Sequence, residues 1–421
     1  MDKFVIKGGK PLNGVVEVSG AKNASLVLMP ATILASGVSK LTNTPGLNDV
    51  YTMIKLLTSI GYKINFENST LLLDSSGINS QFAPYEHVKK MRASIYVLGP
   101  LLARYGYAKV SLPGGCAWGP RPVNLHIEAM KRLGAEIELS EGYIIAKAKK
   151  LKGARINFDI SSVGATGNAL MAATLAKGTT VINNAAMEPE ITNVANLLIK
   201  MGAKINGVNT PVLEVEGVDE LHSAEIDTIP DRIEAGTLII AGAITKGKIT
   251  IKNIVEKHLY SVLAKLEDTG LKIKYNDDSI DVDATDMEIQ STDVATSIFP
   301  GFPTDMQAQW IAYMALGNSH STITDNIYVD RFSHVPELMR LGANVEIKEN
   351  SAIVKGVKKL KGAKVMSTDL RASASLVLAG LAAEGATEVL RVYHLDRGYQ
   401  RIEEKLKALG ADIERVSSPE F

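Results

Sequence analysis

The chain repeats itself, and the repeat is what most limits its fold. Three segments superpose by eye: "LNGVVEVSGAKNASLVLMPATILASG" from Leu12, "LKGARINFDISSVGATGNALMAATLAKG" from Leu151 and "LKGAKVMSTDLRASASLVLAGLAAEG" from Leu360. Each reads as a strand, a polar turn, a helix of small apolar residues and a glycine. A second landmark closes every unit, an amphipathic helix ending in glycine and then a strand: "SIGYKI", "RLGAEI", "KMGAKI", "DTGLKI", "RLGANV" and "ALGADI". Its glycines, Gly61, Gly134, Gly202, Gly270, Gly342 and Gly410, are separated by 73, 68, 68, 72 and 68 residues. Self-similarity at a fixed period is sought before any single motif, because missing it misreads the whole fold. A glycine just past a helical pattern marks a left-handed C-terminal cap.

The unit is therefore strand, apolar helix, strand, loop, amphipathic helix, strand. Helices that are apolar on every side are interior helices, which inverts the usual α/β layering by burying helices and exposing sheet. Solenoid scaffolds repeat every 20 to 50 residues, and a period near 70 with two helices per unit favours globular domains. Six units divide as three and three, giving two similar inverse α/β domains with a cleft between them.

Composition narrows the function classes. Forty-six basic residues balance forty-six acidic ones, which argues against coating nucleic acid or an anionic membrane. Any positive site must be local. One cysteine in 421 residues allows no internal disulfide, the start "MDKFVIKGGK" lacks the apolar core of a signal peptide, and apolar runs such as "AGTLIIAGAI" are shorter than a membrane span. A cytoplasmic location is expected.

The first residues of the helices carry the chemistry. First-helix starts hold Lys22 and Asn23 ("SGAKNAS"), Arg92 ("KMRAS"), Gly164 ("SSVGATGN"), Arg232 ("PDRIEAG"), Asp305 ("FPTDMQAQ") and Arg371 ("DLRASAS"); second-helix starts are read at Arg121, Arg331 and Arg397. A cation in a first turn opposes the helix dipole by about 0.3–1 kcal/mol, so helix stability alone would select Asp or Glu there. Repetition of that misfit points to bound anions, and arginine suits carboxylates and phosphates because it grips them with paired hydrogen bonds. Among such cations Asp305 is expected to stay ionised and to accept a proton from a hydroxyl. Cys116, in the Gly- and Pro-rich loop "LPGGCAWGPRP", reads as a candidate reactive thiol favoured by nearby positive charge. The seven histidines form no HxxxH or HExxH pair, and neither GxGxxG nor GxxxxGK[ST] appears. His126 and His394 read as core or supporting residues.

"SGAKNA", "LPGGCAWGPRPVNLH", "SSVGATGN", "FPTDMQAQ", "DRFSHVPEL", "DLRASA" and "HLDRGY" together resemble the enolpyruvyl transferases over about Lys3 to Gly410. The cysteine loop and "FPTDMQAQ" resemble the branch whose acceptor is UDP-N-acetylglucosamine. Its sister, the branch acting on shikimate 3-phosphate, lacks that loop. The resemblance implies two inverse α/β domains, one formed by residues 1–20 and 230–421 and one inserted as residues 21–229. It implies transfer of the enolpyruvyl group of phosphoenolpyruvate to the sugar 3′-hydroxyl with release of phosphate, the first committed step of peptidoglycan synthesis, with no metal or redox cofactor and no nucleic-acid, membrane or obligate protein partner.

By the same resemblance Lys22, Arg121 and Arg397 hold the phosphate of phosphoenolpyruvate, Arg331 and Arg371 its carboxylate, and Arg92 supports the site. Asn23 and Asp305 contact the sugar, Asp305 as base. Arg121, Pro122, Val123, Asn124 and Leu125, with Ser162, Val163, Gly164 and Ile327, line the uridine diphosphate pocket. Cys116 is the proton donor or an aid to product release, and the target of fosfomycin. Two features depart from the family pattern: Asn124 stands where the family has Asp, and "DISSVGAT" lacks a lysine that some members carry before it. A catalytically silent UDP-sugar-binding homologue is the alternative from another class.

Overall fold

The computed structural model describes residues 2–89, 91–112 and 123–417. Cys116, Arg121 and Pro122 lie outside the described residues. The chain forms two compact units, Gly20–Ile229 and Met1–Ser19 with Pro230–Phe421, each with its own hydrophobic core.

The six landmark glycines all adopt positive φ, between +89° and +112°. Each follows a helix and reverses the chain into a strand, a conformation that costs an L-residue with a Cβ about 1 kcal/mol or more. The glycine period in the sequence is thus a period of helix ends.

The apolar helices are interior. In the inserted unit they are Lys22–Ala31, Leu98–Tyr105 and Val163–Ala173; in the other, Arg232–Ile244, Gln307–Met314 and Leu370–Ala382. Every residue of Gln307–Met314 is buried, including Trp310 and Tyr313. The second helices are one-sided: Asn48–Ser59 buries Asp49, Val50, Met53, Leu56 and Leu57, a stripe at the 3.6-residue period. Among the described residues no helix is long and apolar enough to cross a membrane.

Among the described residues the strands form six four-stranded sheets, three per unit, with one common plan. In one of them Arg155–Asn157 lies parallel to Thr179–Asn183, which pairs antiparallel with Val212–Glu216, which pairs antiparallel with Lys204–Asn206. Alternation along Val212–Glu216 buries Leu213 and Val215 and leaves the other residues exposed, the pattern of a sheet with one face on the core.

Three sheets break the sequence order: Asp2–Lys7 lies between Ala386–Leu390 and Asp412–Ser417, and two others take their first strand from a neighbouring repeat. Asn13–Glu17 runs into helix Lys22–Ala31, yet it pairs in parallel with Lys248–Lys252, Val16 opposite Ile251, within the unit of Met1–Ser19 and Pro230–Phe421. Reciprocally Glu225–Asp227 precedes helix Arg232–Ile244 and pairs with Val38–Thr42, Ile226 opposite Leu41. The contiguous repeat read from the sequence is therefore not the structural unit at these two points: first strands are exchanged where the chain passes from one unit to the other. The crossings are pinned by backbone bonds, Ala21 N to Ile229 O at 2.7 Å and Asp231 N to Ser19 O at 2.9 Å. Gly20 is required there, since a Cβ would lie 1.6 Å from the Asn43 carbonyl oxygen.

Candidate active site

Each unit gathers its helix starts around a different polar centre. In the unit completed by Pro230–Phe421, the 3-10 turn Thr304–Met306 presents Asp305 to two arginines. Arg331 Nη1 donates to Asp305 Oδ1 at 2.9 Å, and Arg371 Nη2 donates to Asp305 Oδ2 at 2.9 Å. Each carboxylate oxygen is held by one guanidinium. The arginine side chains are only 8% and 3% exposed, against 27% for Asp305. Arg331 Nη1 also donates to Thr304 Oγ1 at 3.0 Å. Among the described residues Arg331 Nε and Arg371 Nη1 are buried without a hydrogen-bond partner, an uncommon state for so strong a donor.

Several side chains brace this cluster. Asp325, fully buried, accepts from Thr296 and Thr304 hydroxyls, both at 2.7 Å, and from the backbone of Ile327 and Tyr328 at 3.0 and 2.9 Å. The Arg371 guanidinium stands 5.4 Å from the Tyr399 ring centre, and the Tyr399 hydroxyl lies 2.9 Å from Thr237 Oγ1 and 3.2 Å from Gln309 Nε2. Burial opposes the charge of Arg371, but Asp305, Tyr399 and Asp231 outweigh it and raise its pKa, so the guanidinium stays charged.

Arg371 sits in a first turn because Asp369 precedes it. Asp369 Oδ1 accepts from Arg371 N at 2.8 Å and Ala372 N at 3.2 Å, capping the helix with a carboxylate that offsets the unfavourable cation. Asp231 does the same before Arg232, accepting from Ile233 N at 2.9 Å and Glu234 N at 3.0 Å. Arg331 and Arg397 are not at second-helix starts. Arg331 lies in the turn before Val335–Arg340, and Arg397 closes the 3-10 helix Val392–Arg397 ahead of Ile402–Ala408. Proline and glycine content in "SHVPEL" and "DRGY" interrupts the helical pattern there. Arg415 anchors the Arg397 turn, holding the neighbouring Asp396 at 3.0 and 2.6 Å and Glu403 at 2.8 Å.

The inserted unit is organised around a neutral imidazole. Asn168 Oδ1 accepts from Gly99 N at 2.9 Å, and its Nδ2 donates to Ile95 O at 3.0 Å and to His126 Nδ1 at 2.8 Å. With Nδ1 accepting, the neutral ring carries its proton on Nε2. That edge abuts the start of helix Val163–Ala173: a Cβ on Gly164 would come within 3.0 Å of His126 Cε1 and Nε2. Burial, then the Arg92 charge, lowers the His126 pKa to about 3. Helix Asn124–Arg132, helix Val163–Ala173 capped by Ser162 (Ala165 N to Oγ, 3.3 Å) and the 3-10 helix Arg92–Val97 thus meet at His126 and Asn168. Asn124 is exposed; Val123, Leu125, Ser162, Val163 and Gly164 are half-buried. Lys22 opens its helix beside Asp49, Nζ to Oδ2 3.8 Å, and Asn23 follows half-buried. Ile327, 38% exposed, belongs to the turn folded over Asp325.

A family model described as EPSP synthase (3-phosphoshikimate 1-carboxyvinyltransferase) matches residues 6–406. The chain belongs to the enolpyruvyl transferase family. Curated relatives with the name UDP-N-acetylglucosamine 1-carboxyvinyltransferase are 59% identical in Chloroherpeton thalassium (100% of this chain, 99% of that protein) and 56% identical in Chlorobium chlorochromatii (100% of both). Among solved structures, the enolpyruvyl transferase NikO from Streptomyces tendae superposes with a TM-score of 0.90 at 25% identity, covering 99% of each chain. EPSP synthase from Acinetobacter baumannii does so at 0.77 and 16% identity, covering 99% of this chain and 100% of that one, a likeness of fold. As an enolpyruvyl transferase the chain has the expected α/β fold of six similar units.

Residue-type reasoning overlooked the carboxylates that accompany the cations in this enolpyruvyl transferase: Asp49, Asp231, Asp325 and Asp369, together with Asn168. Two of them had a signal in the sequence. "PDR" and "TDLR" place an Asp one or two residues before the Arg, the position of an N-cap. Asp49, Asp325 and Asn168 had none, because their partners are distant in the chain.

Proposed function

We propose that this chain transfers the enolpyruvyl group of phosphoenolpyruvate to the 3′-hydroxyl of UDP-N-acetylglucosamine, releasing phosphate, a step of peptidoglycan synthesis carried out in the cytoplasm. The observation that carries this reading is the full-length match, at 59% identity, to a relative of that name. The buried arginines agree with it: two guanidinium groups with unsatisfied N–H donors suit a small carboxylate.

In the proposed reaction the sugar oxygen bonds to C2 of phosphoenolpyruvate while a proton adds to C3, giving a tetrahedral phospho-ketal. Loss of phosphate from C2 and of a proton from C3 then restores the double bond. Asp305 accepts the hydroxyl proton, and Cys116 delivers the proton to C3 or assists release. Lys22, Arg121 and Arg397 take the phosphate, Arg331 and Arg371 the carboxylate, with Arg92 in support. Asn23 contacts the sugar. Arg121 to Leu125, Ser162, Val163, Gly164 and Ile327 take the uridine diphosphate, where the backbone N–H groups at the starts of Asn124–Arg132 and Val163–Ala173 suit an anion.

The family description itself favours a second acceptor, shikimate 3-phosphate. Offering each acceptor with phosphoenolpyruvate and following phosphate release separates the two. Release with UDP-N-acetylglucosamine alone is expected, and release only with shikimate 3-phosphate overturns the proposal. Cys116→Ser is expected to slow turnover strongly and to abolish labelling by fosfomycin, read by mass spectrometry of the intact chain.

A further inference from the structure

The candidate base and the candidate carboxylate clamp are one cluster. Asp305 spends both oxygens on Arg331 and Arg371, at 2.9 Å each. A carboxylate with both oxygens bound to guanidinium groups is a poor proton acceptor, because each of those bonds favours its charged form. Conversely, two arginines that share a carboxylate are poor receptors for another. The cluster nonetheless has spare capacity. Asp305, Arg331 and Arg371 taken alone carry one positive charge in excess, and among the described residues Arg331 Nε and Arg371 Nη1 are buried donors without a hydrogen-bond partner. Asp305 is also the most exposed of the three side chains, 27% against 8% and 3%. The arginines are therefore the rigid members, held by Thr304 and Tyr399, and the carboxylate is the member able to swing away.

We infer that Asp305 is an internal stand-in for the substrate's carboxylate: it occupies Arg331 and Arg371 until a carboxylate ligand replaces it, and only then is it released to act on the acceptor hydroxyl. The device rests on the proposed function for the identity of that ligand. Exchange of one carboxylate for another leaves the charge of the cluster nearly unchanged, so binding is not opposed by desolvation of new charge. It also makes the base available only when phosphoenolpyruvate is in place, a specificity step for the carboxylate and not for the phosphate.

The test is binding of phosphoenolpyruvate, and of vinyl phosphate, which lacks the carboxylate, to the wild-type chain and to Asp305→Asn, with no nucleotide sugar present. Asparagine is nearly isosteric and cannot neutralise two arginines. Phosphoenolpyruvate is expected to bind Asp305→Asn about tenfold or more tightly than wild type, the gain of a charge-assisted contact no longer contested, with vinyl phosphate unchanged. Equal or weaker binding of phosphoenolpyruvate, or an equal gain for both ligands, overturns the inference. A readout that needs no variant is arginine side-chain NMR of the wild-type chain, in which two guanidinium signals are expected to shift with phosphoenolpyruvate and to stay in place with vinyl phosphate. Identical shifts with both ligands also overturn it. Phosphate release by the same wild-type preparation with UDP-N-acetylglucosamine is scored separately, so that failure of the proposed reaction is distinguishable from failure of the exchange.

Discussion

The two units start from one repeated plan and handle cations at helix starts in opposite ways. In the Pro230–Phe421 unit, Arg232 and Arg371 each follow an Asp cap that accepts two backbone N–H bonds, and Asp305 neutralises Arg331 and Arg371 from across the cluster. In the Gly20–Ile229 unit, helix Lys22–Ala31 has no side-chain cap, Ser162 makes one long capping bond, and the central polar group is a neutral imidazole. Repetition therefore preserves the place of the chemistry and not its kind. One unit centres on a carboxylate shared by two guanidinium groups; the other centres on a neutral imidazole, with its cations Lys22 and Arg92 at the helix starts around it.

The sharpest way to break this contrast is to remove the central guanidinium. Arg371→Met should lower kcat/KM for phosphoenolpyruvate on the order of a thousandfold, or about 4 kcal/mol, while KM for the nucleotide sugar changes little; equal changes in both would erase the division of labour. The loss should exceed that of Arg371→Lys, which keeps the charge but not the planar fork.

A second contrast is acid sensitivity. Burial holds His126 at about 3 in the inserted unit, and His334 and His258 at about 4 in the other. A histidine depressed on folding favours the native state above its unfolded pKa, near 6.5, and that contribution is lost as pH falls from there toward the folded value. Stability should fall between about pH 6.5 and 4, by at most about 1.4 kcal/mol per pH unit per histidine. Asp369 counteracts the depression of His334, whereas Arg92 deepens that of His126. Hydrogen exchange is expected to show the Pro230–Phe421 unit, with two such histidines against one, losing more protection on acidification, and His126→Gln to flatten the slope of the inserted unit.

Smaller effects distinguish the caps. Asp369→Ala removes a two-bond cap and should cost about 1–2 kcal/mol by denaturant unfolding, whereas Ser162→Ala, losing one 3.3 Å bond, should cost about 0.5 kcal/mol. A cost at Ser162 equal to that at Asp369 would show that the units cap their helices alike.

Much of the fold was legible in the sequence because its signals are local. Six glycines after six helical patterns became six positive-φ caps, and all-apolar stretches such as Gln307–Met314 became buried helices. The candidate site was legible in its residue types and less so in its placement. The sequence pattern puts Arg331 and Arg397 at helix starts, whereas Arg331 lies in the loop before Val335–Arg340 and Arg397 at the end of a 3-10 helix, because a nearby proline or glycine shifts where the helical pattern begins. The carboxylates beside the cations were missed where the partners are remote, as for Asp49 and Asp325.

By itself the sequence determined the repeated unit, its helix ends, its buried helices and the surplus of cations at their starts, since each depends on residues within a turn or two of one another. Only the tertiary structure decided which strand completes which sheet and which carboxylate meets which guanidinium. Six sheets of the same plan offer nearly equivalent edges, so the exchange of Asn13–Glu17 and Glu225–Asp227 follows from closing two cores with one chain. Asp305 meets Arg331 and Arg371, 26 and 66 residues away, because packing brings a 3-10 turn, a loop and a helix start together, a geometry that no stretch of consecutive residues encodes.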